Sequence, residues 1–223
     1  MLKHPKNICY CLLTIDVFHV VAYLFTRAVF LPGLGVRDLF DLDREQSIPT
    51  WFSSIQLFFA AMIAFSKTQS KSEHFHSLFR AATYGLLFLS MDEVAGIHET
   101  ITAFIRHFKI GFSGREYLIW MFGYLTIATV IALKEIYPVL FVLKYYRRES
   151  MVVIAGTVVF ISGGMGIEII THILARHGFD LGFYLAVAAE EFFEMVGVSI
   201  VTYGLMLFDD EKEQNAAKLW NNG

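Results

Sequence analysis

Apolar residues in this chain neither alternate nor trace a single stripe; they come in six long runs separated by short polar or glycine-containing breaks. Each run is long enough to cross ~30 Å of hydrocarbon as a helix, which takes about 20 residues. The runs predict helices over 8–31, 48–66, 78–104, 116–133, 151–173 and 183–208. The breaks carry helix-stopping chemistry. Pro32-Gly33 follows the first run, Pro49 opens the second, Gly111 and Gly114 part the third from the fourth, and Gly178 and Gly182 part the fifth from the sixth. The stretch 134–148, KEIYPVLFVLKYYRR, is aromatic and basic and predicts an interfacial segment rather than a seventh span. No repeat, low-complexity tract or linker divides the chain, so 1–223 reads as one integral membrane domain, an all-α polytopic bundle.

The first run follows Lys3 and Lys6, as a signal peptide's would. It lacks a small-x-small cleavage site, is too long, and contains Asp16, His19 and Arg27, which predicts a retained first helix. Basic residues then set the orientation. With the N-terminus in the cytoplasm, that side collects Lys3, Lys6, Lys67, Lys71, Arg80, Lys134, Lys144, Arg147, Arg148, Lys212 and Lys218. The other side has Arg37, Arg44, Arg106, Lys109, Arg115 and Arg176. This inside excess predicts six spans with both termini cytoplasmic. Arg27, near the outer end of its helix, is expected to snorkel to the interface.

Composition agrees with the runs: 56% of residues are hydrophobic and 17% charged, and mean hydropathy is +0.53. An ordinary globular domain carries about 25% charged residues. Disorder, collagen and coiled coil are excluded. The net charge of −3 and the lack of a basic cluster with interleaved aromatics argue against a nucleic-acid partner. Cys9 and Cys11 are two apart on a helix and point to different sides, so they predict neither a disulfide nor a thiol site.

Charge placement changes the picture more than charge count. Asp16, Asp92, Glu93, Glu99, Glu168, Glu190, Glu191 and Glu194 all lie inside apolar runs. At ~2.5 kcal/mol for each mid-membrane carboxylate, exposing such a set to lipid would cost on the order of 20 kcal/mol. The acids must therefore face one another, water, protons, a metal or a substrate. In MDEVAGIHET, Asp92 and Glu99 are seven apart and share a helix face; His98 flanks it, Glu93 points aside, and Ala95 and Gly96 permit close approach of a neighbour. In GGMGIEIITH, Glu168 and His172 stack at i and i+4 with Gly164 one turn earlier. In AAEEFFEMVG, Glu190 and Glu194 are one turn apart, Glu191 lies beside Glu194, and Gly197 continues the stripe. Carboxylates so close stay ionised together only beside a cation.

Counting ~1.5 Å per residue from the span ends puts the three blocks in the same outer half of the membrane. Ser53, Ser54, Gln56, Tyr117, Trp120 and Tyr124 fall at similar depth and are expected to serve as interfacial anchors or helix–helix hydrogen bonds. Asp16 and His19 lie in the inner half, with no partner identifiable from sequence.

This palette of carboxylates and imidazoles suits divalent iron, zinc or manganese, in one or two ions. Asp92, Glu99, Glu168, His172, Glu190 and Glu194 are the expected metal ligands; Glu191, His98 and Glu93 are the expected acid/base groups. The favoured reading is a metal-dependent membrane enzyme, an oxidoreductase or a hydrolase, acting on a lipid-like or membrane-soluble substrate. Alternatives are proton or divalent-cation transport through the same acids, a bis-histidine haem protein, and a non-catalytic accessory subunit of a membrane complex; membrane lipid and a homo-oligomer or larger membrane complex are the expected partners. Transport fits less well, because the inner half is polar only at Asp16 and His19. The haem reading uses few of the acids.

The pattern D-E-x4-H-E in one run (Asp92, Glu93, His98, Glu99) and E-E-x2-E-M-x-G in the last (Glu190, Glu191, Glu194, Gly197) resembles widespread, uncharacterised bacterial multi-spanning inner-membrane proteins. The resemblance covers two of the six runs. It implies residence in a bacterial inner membrane and nothing about activity. The H-x3-H and H-x2-H-H clusters of histidine-box desaturases and three-histidine membrane hydrolases are absent.

Overall fold

A computed structural model describes residues 4–29, 35–68, 73–108, 116–178 and 180–208. Within them the regular structure is all helical, with no strand. Helix α1 spans Pro5–Ala28, α2 Val36–Leu39, α3 Ile48–Lys67, α4 Glu73–Ala95, α5 Ile97–His107, α6 Tyr117–Lys134, α7 Ile136–Tyr145, α8 Arg147–Ile161, α9 Glu168–His177 and α10 Asp180–Met206. A π-helical turn, Ser162–Ile167, joins α8 to α9.

Local sequence explains the element ends. Pro5 stands in the first turn of α1 and Pro49 in that of α3, where a missing N–H costs nothing. Ser47 caps α3 by accepting from the Thr50 N–H. Several expected punctuation points (Pro32-Gly33, Gly111, Gly114) lie outside the described residues, as do Lys3, Lys71, Lys109, Arg115, Lys212 and Lys218 from the orientation count.

Among the described residues, three helices are long and apolar enough to cross a membrane: Pro5–Ala28, Ile48–Lys67 and Arg147–Ala175. Leu118–Lys134 and Ile136–Tyr145 make a fourth if that pair, bent by 72°, is one broken span. The 134–148 stretch is thus a helix that turns sharply away from α6. The third and last expected spans are present as helices but are more polar. Every 18-residue stretch of α10 contains Glu190, Glu191 and Glu194, so the residues of the candidate site themselves lower its hydropathy. Belts of exposed apolar side chains, such as Val17, Phe18, Val21 and Phe25 on α1 and Phe122, Ile127, Val130 and Leu133 on α6, are what a lipid-facing surface presents.

Two expected helices are interrupted. The run 78–104 breaks at Gly96, whose φ of +53 ends α4 and caps α5. An L side chain at Gly96 would be strained, and its Cβ would overlap the Glu45 carboxylate. Asp92 and Glu99 therefore do not share one helix face. The run 151–173 passes through the π turn, whose glycines admit the extra residue per turn.

Helix α10 is central, packing against α1, α3, α8, α9 and the π turn, while α4 packs on α3 and α7. Close approach of α8 to α10 rests on glycine. A Cβ on Gly156 would meet Val201 N at 2.7 Å, and one on Gly197 would meet Phe160 N at 2.5 Å. The main core gathers Leu57, Ala60, Ala64, Phe79, Phe141, Tyr146, Val198 and Val201.

Candidate functional site

The end of the bundle where α1 finishes and α3 begins holds a cavity of about 550 Å³. Its walls come from the 42–45 loop, the start of α3, the α4–α5 bend, the first turns of α6, the π turn and α9, and the first half of α10. All nine residues singled out in the sequence (Asp92, Glu93, His98, Glu99, Glu168, His172, Glu190, Glu191 and Glu194) line it. Three separate blocks of sequence meet because α4, α9 and α10 present their polar turns at the same end of the molecule.

The bend at Gly96 organises the first block. Asp92 on α4 accepts from the His98 N–H through Oδ1 at 3.0 Å, and its Oδ2 lies 3.2 Å from His98 Nδ1. One buried carboxylate thus ties the last turn of α4 to the first of α5 and fixes the imidazole, which packs at a 49° tilt against Trp120, 4.9 Å between centroids. Glu93, on the next position, is hydrogen-bonded by Ser53 of α3.

The second and third blocks interlock. The Thr171 hydroxyl donates to Glu190 Oε2 at 2.7 Å, and Trp120 donates to Glu168. His172 Nδ1 lies 3.1 Å from the Glu168 carbonyl oxygen. With that bond donated by Nδ1–H, Nε2 carries the lone pair, the arrangement seen in metal-ligating histidines. Gly163 and Gly164 let the π turn press on α10: a Cβ on Gly163 would sit 2.7 Å from Glu190 O, and one on Gly164 2.7 Å from Glu194 Oε1. Glu194 thus lies flat against a glycine of the neighbouring element.

Sequence reasoning missed the 42–45 loop, read only as a connection. Asp43, Arg44 and Glu45 line the cavity mouth, with Arg106 of α5. Asp43 stays exposed to solvent, yet partial desolvation of its carboxyl pushes it up to about 6, and the negative charges of Asp41 and Glu99 push the same way. Burial also raises Glu45, followed by the charge of Glu99 and a hydrogen bond shared with it. The signal was present in the acidic string DLDREQS, but nothing local says that it folds back over the bundle.

Arg27 holds that loop. Rather than snorkelling to an interface, it pairs with Asp41 Oδ1 at 2.5 Å and lies over the rings of Tyr23 and Tyr184. Of the expected anchors, Ser54 does link helices, donating to the Ser90 carbonyl at 2.7 Å. Trp120 and Tyr124 instead line the cavity. The Tyr117 and Arg176 side chains lie outside the described residues. Asp16 finds the partners that the sequence left open: Gln56 on α3 and Ser199 on α10.

Charge in the cavity is one-sided. Nine carboxylates face it against Arg44, Arg106 and two histidines, and Arg44 pairs outward with Asp38. As the side chains stand, no three His, Cys, Asp or Glu groups among the described residues converge closely enough to hold one metal ion.

Among known families, the model described as Domain of unknown function (DUF8692) matches residues 11–208. No curated protein and no solved structure matches the chain.

Proposed function

The chain belongs to the DUF8692 family, and we propose that it is a metal-dependent membrane enzyme whose reaction takes place in the acid-lined cavity. The observation that carries this reading is the convergence of nine acidic and imidazole side chains, from three distant stretches of chain, on one space of about 550 Å³. So many carboxylates around one cavity, with few cations among its walls, create a demand for positive charge.

The donor set fits the demand. Carboxylate oxygens and imidazole nitrogens suit iron, manganese or zinc. Asp92, Glu99, Glu168, His172, Glu190 and Glu194 are the residues that would hold such ions. Loading requires the glutamates to change rotamer, and the cavity leaves room for it. A bound metal would supply Lewis-acid activation of a substrate or water, or with iron a redox centre. The chain's own residues do the rest. Glu191, Glu93 and His98 sit where a proton can be taken or given, and Trp120 with Thr171 orients Glu168 and Glu190. Leu57, Leu89, Phe160 and Phe183 give the same cavity apolar walls, which supports a lipid-like, amphipathic substrate.

The setting we propose is a six-span bundle in a bacterial inner membrane, with both termini cytoplasmic. Supporting it, α10 is enclosed by α1, α3, α8 and α9, so its three glutamates turn to the cavity and not to lipid.

Metal analysis of the detergent-purified chain tests the reading. About one or more equivalents of a transition metal should co-purify and fall by at least half in Glu194→Gln. Less than about half an equivalent in the parent protein, unchanged by Glu194→Gln, would sink it.

A further inference from the structure

A second polar cluster lies in the core between α1, α3 and α10, apart from the cavity. Asp16 is fully buried. Its Oδ1 accepts from Gln56 Nε2 at 2.7 Å and its Oδ2 accepts from the Ser199 hydroxyl at 2.8 Å. Gln56 Nε2 also donates to Ser199 Oγ at 3.1 Å. The three groups close a ring of hydrogen bonds in which every donor points inward to the carboxylate or its neighbour.

That ring solvates an anion with neutral dipoles alone. Among the described residues, no Lys, Arg or His forms an ion pair with Asp16. From α3 and α10 the groups that meet it are neutral; on α1, His19 follows one turn on and Cys9 lies two turns back. A lone charge in a protein core costs several kcal/mol unless something pairs with it.

The hydrogen-bond count points the same way. Gln56 Oε1 is buried and has no partner, although the same amide's nitrogen makes two bonds. Thr202 Oγ1, one turn along α10 on the face that carries Ser199, is likewise buried and unpartnered. An orphaned oxygen on the amide that meets one unbalanced carboxylate, with a second orphaned oxygen one turn along α10 from Ser199, points to a positively charged occupant. Turning the Gln56 amide over would aim Oε1 where Nε2 now points, a move that gives up two hydrogen bonds and is favourable only with a cation between Oε1 and the carboxylate.

We propose that Asp16, Gln56, Ser199 and Thr202 form a binding site for a monovalent alkali cation of about sodium's size. All four contribute oxygen, the donor that hard cations select, and three helices supply them. A single carboxylate balances one positive charge and leaves a divalent ion undercompensated. The site shares no residue with the cavity and stands whether or not the cavity holds a metal.

Thermal unfolding of the full chain in detergent tests it, in NaCl, KCl and choline chloride at equal ionic strength. Sodium should raise the midpoint over choline by about 5–10 °C once it is roughly a hundredfold above its Kd. The gain should vanish in Asp16→Asn and persist in Glu194→Gln, which separates this site from the cavity. Ser199→Ala, the milder change, should raise the sodium concentration needed for half the gain by at least about tenfold, which provides the test if Asp16→Asn does not fold. Equal midpoints in sodium and choline would overturn the proposal, as would a sodium gain that survives both Asp16→Asn and Ser199→Ala. A midpoint indifferent to sodium, but with a pH dependence that Asp16→Asn removes, would also overturn it and assign the position a proton.

Discussion

Two glycines in the π turn, three residues apart, should answer oppositely to the same methyl group. At Gly163 an added Cβ would lie 2.7 Å from Glu190 O and 3.0 Å from Glu194 N, both backbone atoms of α10. Ordinary contact begins near 3.4 Å, so α10 or the turn must move by 3.4 − 2.7 = 0.7 Å. Overpacking of this kind costs about 1–3 kcal/mol. At Gly166 a Cβ meets nothing within 4 Å, so Gly166→Ala keeps only the helical gain of alanine over glycine, about 1 kcal/mol at most. The two substitutions share that gain, so the difference between them isolates the clash. At roughly 2–4 °C per kcal/mol for a chain of this size, Gly163→Ala should melt about 2–12 °C below Gly166→Ala. Because the shift falls between Glu190 and Glu194, Gly163→Ala should also lower any metal retained on purification. Thermal unfolding in one detergent, with metal content read on the same samples, provides both numbers. Equal midpoints for the two variants would refute the close contact between the π turn and α10.

The loop that carries Asp43 to Glu45 is held by Arg27 and Asp41, both largely buried. A double-mutant cycle of Arg27→Ala and Asp41→Ala should give a coupling of about 1–2 kcal/mol in unfolding, and each single variant should speed protease cleavage within 36–47; additive effects would contradict the latch. Asp43, raised to about 6 in the folded chain, contributes stability below its unfolded pKa that is lost as pH rises through about 6. Asp43→Asn should therefore raise the unfolding midpoint at pH 7.5 more than at pH 5, by less than ~1 kcal/mol because the mouth is open to solvent screening. A larger gain at pH 5 would reverse the assigned sign.

Much of the site was legible because its logic is local to each helix. A carboxylate within an apolar run needs a reason wherever it stands, so Glu190, Glu191 and Glu194 announce themselves without a structure. Shared depth is an expectation from helices of alternating direction; the described residues show the three blocks lining one cavity. What sequence reading missed depends on contacts between distant segments. The 78–104 run looks continuous because Ala95-Gly96 is tolerable inside a helix; the Glu45 carboxylate occupies the space of the missing Cβ, and Asp92 bridges the gap to His98. The π turn is equally silent, since glycines in GGMG can as well serve plain helix packing. Arg27 misled for a related reason. A basic residue near a helix end snorkels by default, and only the fold brings Asp41, Tyr23 and Tyr184 within its reach.

The ring around Asp16 also constrains the order in which the molecule can be assembled. Its two partners lie 40 and 183 residues further along the chain. At a synthesis rate of about 5–20 residues per second, Gln56 is made within seconds, while Ser199 follows only after roughly 10–40 s. Over that interval the first helix carries a carboxylate whose second oxygen has no donor, and α1 and α3 can pair but not lock. The last helix closes a structure that the first has left open, so a chain cut short of α10 is left with an unfinished polar core.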